Sequence, residues 1–225
     1  MTAFPEPNRF PEGASLTDGV WTQIFTPRAQ TQSRPALFLD RDGVVVEEAH
    51  YLHKVEDVQL TPNAADVIKT ANAKNIPVVL VTNQAGIGYR MFEWDDFVNV
   101  QERIMVDLAE GGAHLDGVFA CPFSAKGQDI YFHEDHPARK PNAGMLNFAR
   151  DLMGIELSKS WIVGDRDLDL LAGKNAGCAG GVHVLTGHGN KDGARESALA
   201  VGDETFQALS AQNLSEAKEL LKVLA

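Results

Sequence analysis

The 225-residue sequence has only two cysteines, Cys121 and Cys178. It has no apolar run close to the ~20 residues that a membrane-spanning helix needs. Two thiols make no disulfide framework, so a reducing, cytoplasmic setting is expected. The opening MTAFPEPNRFPEG lacks the basic start and apolar middle of a secretory signal. Basic residues are also scarce, with 20 Lys plus Arg against 31 Asp plus Glu and a net charge of −11. A surface of that sign repels nucleic acid, and no local basic stripe reverses it. A small anionic ligand is still compatible, because a few convergent cations and a metal dominate the field inside a pocket. No internal repeat is visible.

Hydrophobic residues make up 44% of the chain, enough for a substantial core. Five of the ten prolines fall within the first 35 residues, where no hydrophobic period is sustained. Residues 1–34 therefore read as an irregular extension, with TDGVWTQIFT (17–26) a candidate edge strand, and 35–225 as the main domain. Apolar, β-rich runs follow at 36–40, 76–83, 116–123, 160–165 and 180–187. Helical patterns fill the gaps between them. The pattern at 61–75 opens with Thr61 as N-cap and Pro62 behind it. The one at 93–112 puts Phe97, Val100, Ile104 and Leu108 on one face and stops at a glycine pair. Those at 142–154 and 167–177 each end in glycine. This alternation predicts an α/β fold: a Rossmann-like parallel sheet with helices on both faces.

In such sheets ligands sit beyond the carboxyl ends of the strands. Asp40, Thr82–Asn83 and Asp165 each stand where an apolar strand runs out. Asp40 and Asp42, in LDRDG, could be ordinary turn residues. Two neighbouring carboxylates, however, stay ionised together only near a cation. One can attack a phosphoryl group while its protonated neighbour serves the leaving oxygen. GDRDLD (164–169) could simply favour a helix start, but it also brings hard oxygen ligands to the same edge. VTNQAGIG (81–88) supplies a hydroxyl, an amide and turn N–H groups suited to phosphate oxygens. Arg139 and Lys140 would face the acidic edge, with the lysine a suitable point charge for a phosphoryl group.

These four segments, in this order, resemble the four motifs of the haloacid dehalogenase superfamily of phosphatases. FLDRDG, HYLH (50–53), VTNQAGI, DGVFACP, RKPNAGML and VGD are similar to the heptose 1,7-bisphosphate and histidinol-phosphate phosphatases within it, over about residues 35–190. The resemblance implies small loop insertions rather than a large cap domain. It implies a Mg2+-dependent phosphomonoesterase acting on a small phosphorylated sugar through an aspartyl-phosphate. Asp40 would be the nucleophile and Asp42 the proton carrier, with Thr82 and Lys140 holding the phosphoryl oxygens. Asp40, the Asp42 carbonyl and Asp165 would hold Mg2+, while His50, Tyr51, Asn83, Arg139 and Arg166 would meet the substrate. A monomer is expected. The reading from a different class is a phosphate-binding module without turnover, against which all four motifs retain their ionisable residues.

The chain departs from its relatives in the segment 121–140. Those relatives build a structural zinc site there from C-x-H and C-x-C. Here Cys121 is the one clear ligand, with Phe123, His136 and Ala138 at the other positions. A closed zinc site needs four ligands, so no structural zinc is expected. Phe123, Tyr131 and Phe132 should supply apolar contacts instead, although Cys121, His133 and His136 with a neighbouring carboxylate form a weaker alternative. Val44 stands where the first motif commonly has threonine, and Gly88–Tyr89–Arg90 alters a loop near the site. Trp161 and Cys178 read as packed residues, and His183 and His188 as strand or loop residues without a ligand role.

Overall fold

A computed structural model describes residues 4–25 and 33–225. Its centre is one eight-stranded sheet in the order β1-β2-β5-β4-β3-β6-β7-β8. The strands are β1 (Ala14–Thr17), β2 (Val20–Ile24), β3 (Leu37–Leu39), β4 (Val78–Asn83), β5 (Gly117–Cys121), β6 (Trp161–Gly164), β7 (Gly180–Val184) and β8 (Gln207–Ala211). From β5 to β8 every pairing is parallel. The central strands LFL, VVLVTN and WIVG are buried almost throughout, as a sheet covered on both faces requires.

The helices are α1 (Ala64–Ala73), α2 (Ala85–Gly88), α3 (Trp94–Glu110), α4 (Gly144–Met153), α5 (Asp167–Ala176), α6 (Ala194–Leu199) and α7 (Leu214–Leu220). α1 packs against both α3 and α7, while α5 packs against both α4 and α6, one group for each face. Among the described residues there is no large cap domain. Among the described residues no helix is long and apolar enough to cross a membrane. The anticipated α3, α4 and α5 appear within one or two residues of their expected ends. Gly154 and Gly177 close α4 and α5 with positive φ, a conformation glycine adopts without strain.

The start of α1 differs from expectation. Asn63, not Thr61, is the N-cap, and Pro62 lies outside the helix. The Thr61 hydroxyl instead donates to the Val44 carbonyl and its N–H donates to Val45, tying the chain to the turn after β3.

The N-terminal segment is also more ordered than expected. β1 and β2 form an antiparallel hairpin, and β2 pairs with β5. Trp21, fully buried, stacks on Trp94 at 5.5 Å and meets Phe97 edge-on. The hairpin thus continues the sheet and packs on α3. Residue 26 of the anticipated edge strand lies outside the described residues, as do 1–3 and 27–32 of the extension.

Topology now locates the crevice. The chain builds outward from β3 through β4 to β5, then returns to the other side of β3 for β6, β7 and β8. Direction reverses between β3 and β6, and ligands of open α/β sheets bind beyond the strand ends at such a point.

Candidate active site

Asp40 follows β3 and Asp165 follows β6, so the reversal point brings them together. Their carboxylates and that of Asp169, in the first turn of α5, have oxygens within 4.8 Å of one another. Among the described residues this is the sole group of three or more acidic, histidine or cysteine side chains close enough to share an ion. One buried cation faces all three. Lys140 Nζ lies 2.9 Å from Asp40 Oδ1 and 2.7 Å from Asp169 Oδ1, and donates to the Val81 carbonyl. Burial alone would lower the Lys140 pKa, but Asp169 and Asp40 more than reverse this.

One lysine does not balance three carboxylates. Burial, opposed by Lys140 and reinforced by Asp169 and Asp42, pushes Asp40 up to about 7. Burial together with Asp40 and Asp169 pushes Asp165 up to about 8. A carboxylate group that resists ionisation in this way calls for a further cation. The packing fits one small ion. Gly43 and Gly187, both at positive φ, lie so close that an added Cβ would fall 2.4 and 2.3 Å from Asp165 Oδ2. That oxygen accepts the His188 N–H at 2.7 Å. Both Asp169 oxygens are engaged, one by Lys140 and the other by the Arg166 N–H that it caps. Asp169 therefore anchors Lys140, and Asp40 and Asp165 retain oxygens for an ion.

Asp42 stands outside this group. Its carboxylate takes a forked contact from Arg41, at 3.0–3.1 Å, and a bond from Gln84 Nε2 at 3.1 Å. Gln84 also donates to Thr82 Oγ1 at 2.8 Å and accepts from Arg41. Arg41 is fully buried, with its guanidinium over the Phe97 ring. The two carboxylates of LDRDG thus face different partners: Asp40 the lysine, Asp42 the arginine.

Asp40, Asp42, Thr82, Lys140 and Asp165 all line one open cleft of about 310 Å³. His50, Tyr51, Asn83, Arg139 and Arg166 line it too. Their contacts are unequal. Asn83 uses both ends of its amide on the Lys140 backbone, at 3.0 Å each, and so positions the lysine. His50 and Tyr51 form an exposed rim with consecutive positive φ values, and Tyr51 meets Tyr89 edge-on. Arg139 is held through Nη1 by the Phe123 carbonyl at 2.9 Å.

Sequence reasoning missed Asp169, Gln84 and Arg41, although GDRDLD, VTNQ and LDRDG contain them. A first-turn acid four residues past Asp165 is the signal that could have found Asp169. His188, read as a loop bystander, lies on the cleft wall near Glu48. His183 is buried in β7, with Nε2 at the Asp165 carbonyl. Trp161 and Cys178 are buried as anticipated.

In the altered loop Phe123 and Tyr131 are buried, but Phe132 is 59% exposed, contrary to expectation. Tyr131 ends a 3-10 turn over Asp129–Tyr131 and points inward, where its ring meets Phe4 and Phe123 and its hydroxyl accepts from Trp94 Nε1; Phe132 falls just past that turn. Cys121 Sγ lies 3.8 Å from His136 Nδ1, which also accepts the Ala138 N–H. Burial pushes the Cys121 thiol up to about 12.

Comparison with known proteins agrees with this geometry. A HAD-hydrolase-like family model matches residues 137–211. A D-glycero-beta-D-manno-heptose-1,7-bisphosphate 7-phosphatase of Mesorhizobium japonicum is 42% identical over 163 residues, 72% of this chain and 75% of that protein. A solved HAD-like protein of Mesorhizobium loti superposes with TM-score 0.81 at 36% identity, covering 92% of this chain and 94% of its own. The D,D-heptose 1,7-bisphosphate phosphatase of B. bronchiseptica, solved with magnesium and phosphate, gives TM-score 0.69 at 27% identity, covering 86% and 100%.

Proposed function

The chain belongs to the haloacid dehalogenase-like phosphatases, and on that premise we propose that it removes the 7-phosphate from a D-glycero-D-manno-heptose 1,7-bisphosphate. The observation that carries this reading is the pairing of Asp40 with Lys140 at the floor of the cleft, beside the Asp165 carboxylate. An Asp40 oxygen attacks phosphorus, and the bond from phosphorus to the sugar oxygen breaks with its electron pair on that oxygen. Asp42 supplies the proton the departing alcohol needs. Water then attacks the aspartyl-phosphate, Asp42 takes a proton from it, and phosphate leaves with Asp40 restored. Thr82 and Lys140 bind phosphoryl oxygens, and Asp169 keeps the Lys140 ammonium in place. Asp40, Asp165 and the Asp42 carbonyl would hold Mg2+, which supplies positive charge against the phosphoryl oxygens when bound.

Rim residues His50, Tyr51, Arg139 and Arg166 meet the non-reacting part of the sugar. In this reading the chain acts as a cytoplasmic monomer on a diffusing metabolite, and light scattering checks the monomer. A phosphate-release screen with Mg2+, covering sugar bisphosphates, their monophosphates and histidinol phosphate, tests the function. Preference for the heptose bisphosphate is expected. Preference for histidinol phosphate would overturn the substrate, and phosphate binding without release would overturn the enzyme.

A further inference from the structure

Residues 4–25 take no part in the chemistry above, yet they are built onto the segment that carries Arg139. Phe123 is 4% exposed. Its ring lies flat on His136, with centroids 3.9 Å apart and 4° between the planes. Phe4 meets the Phe123 ring edge-on at 5.7 Å, and Tyr131 meets it at 5.7 Å as well. Gly19, at φ +78 in the β1–β2 turn, completes the seat. A Cβ there would come within 2.8 Å of the Phe4 ring and 3.0 Å of the Phe123 ring. The turn of the hairpin therefore presses on the stack with no room to spare.

The stack has a specific connection to the cleft. Both of its members give Arg139 a carbonyl: Phe123 accepts from Nη1 at 2.9 Å, and His136 accepts from the Arg139 N–H at 2.9 Å. Other aromatic contacts brace the same unit. The Tyr131 hydroxyl accepts from Trp94 Nε1 at 3.1 Å, and Trp94 stacks on Trp21 of β2. Segment 8–10 is fixed as well: Asn8 N–H donates to Asp95, Arg9 pairs with Glu102, and Phe10 stacks on Trp21.

We propose that the N-terminal segment 4–25 is a working part of the substrate site: Phe4 and, from the hairpin turn, Gly19 clamp Phe123 onto His136, and the clamped pair sets the position of the Arg139 guanidinium in the cleft. Phe123 is then a positioning residue for substrate binding. A flexible arginine held in place before the substrate arrives need not be ordered at the substrate's expense. Without the clamp, that ordering falls on the binding step. The inference rests on the reading of Arg139 as a contact to the non-reacting part of the sugar bisphosphate.

The test uses the full chain with Mg2+ and two substrates, heptose 1,7-bisphosphate and p-nitrophenyl phosphate. Arg139→Ala should raise KM for the bisphosphate about 10-fold or more. Phe123→Ala should raise it about 5-fold and Phe4→Ala about 2- to 3-fold, with kcat little changed. p-Nitrophenyl phosphate, which has no distal group for Arg139, should be turned over normally by the Phe123 and Phe4 variants. In the Arg139→Ala background Phe123→Ala should add almost nothing.

A KM increase that is the same with and without Arg139 would overturn the clamp. So would an equal loss of kcat on both substrates, which marks general loosening. An unchanged KM in Arg139→Ala would overturn both the substrate reading and the clamp, whereas raised KM there with wild-type behaviour in Phe123→Ala overturns the clamp alone. Should Phe123→Ala fail to fold, Phe4→Ala decides by the same comparison, and an unchanged KM in it overturns the proposal.

Discussion

The carboxyl edge around Asp40 and the aromatic flank around Trp21 are both buried, but by opposite physics. The flank gains stability from burial: Trp21, Trp94 and Phe97 remove ring surface from water in stacked and edge-on contacts, and the exposed Phe10 ring covers Trp21 from outside. The edge is opposed by burial, since three carboxylates share one lysine there. One region holds the molecule together and the other holds charge ready for a substrate. Single substitutions should therefore separate activity from stability in opposite senses.

The largest expected effect is Asp40→Asn. An amide neither attacks phosphorus nor carries charge toward a cation, so kcat should fall by about 10⁴-fold or more. The raised Asp40 pKa means that the folded state favours the uncharged form. The variant should thus be at least as stable as the parent in thermal melts without divalent metal. Activity within 10-fold of the parent would remove Asp40 from the mechanism. Lys140→Met should behave differently, because it leaves Asp40, Asp165 and Asp169 without a counter-charge. A loss of about 3–5 kcal/mol in urea unfolding is expected, as for other broken buried pairs. Added Mg2+ should return part of it.

Trp21→Ala should give the converse of Asp40→Asn. Removing a fully buried indole costs about 3–5 kcal/mol of folding free energy. Turnover of p-nitrophenyl phosphate by the folded fraction should stay within about 2-fold of the parent. Asp42→Asn lies between these cases. Its loss as proton carrier should slow sugar-phosphate hydrolysis by roughly 100-fold, and p-nitrophenyl phosphate, whose leaving group needs little protonation, much less. Equal slowing on both substrates would reassign Asp42.

The two regions also differ in how much of each the sequence revealed. At the edge, chemistry dictates residue type. Asp40, Thr82 and Asp165 stand out because charged or polar groups end apolar strands, and the alternation of strand and helix predicts where those strands end; Lys140 stands out as a cation set before a helix start, where it would face that acidic edge. Asp169 escaped notice because an acid in a first helical turn has an ordinary explanation, which it also fulfils by accepting the Arg166 N–H. Gln84 escaped because an amide gains meaning only from its partners. On the flank, packing dictates residue type, and packing is non-local. β1 alternates half-buried and exposed residues, and β8 is half-exposed at the far edge, so neither makes an apolar run. Phe123 and Phe132 are indistinguishable in the sequence; Phe123 is buried by Phe4, Tyr131 and His136, partners that only the fold brings to it.

The smallest effect expected, and the most discriminating, lies in the pH dependence of stability. Asp40 and Asp165, pushed up to about 7 and 8 from 3.8, bind protons more tightly in the folded state. Their contribution is therefore lost as pH rises from about 4 to 8. His136 in the flank has the reverse sign. Burial, with His133 beside it, lowers it from 6.5 to about 4, so its contribution is lost as pH falls below 6.5. Between pH 4 and 6.5 the two slopes oppose each other, whereas from 6.5 to 8 the carboxylates act alone. Melting temperature in EDTA should consequently fall across pH 6.5–8. A divalent cation favours the ionised carboxylates, so Mg2+ should flatten that limb and expose the histidine slope, giving stability that rises to about pH 6.5 and then levels. In Asp40→Asn the EDTA limb should shrink without metal, and in Trp21→Ala the whole curve should drop with its shape unchanged. A limb in EDTA that Mg2+ leaves untouched would mean that the carboxyl edge does not hold the ion, and the contrast between the two regions would lose its electrostatic half.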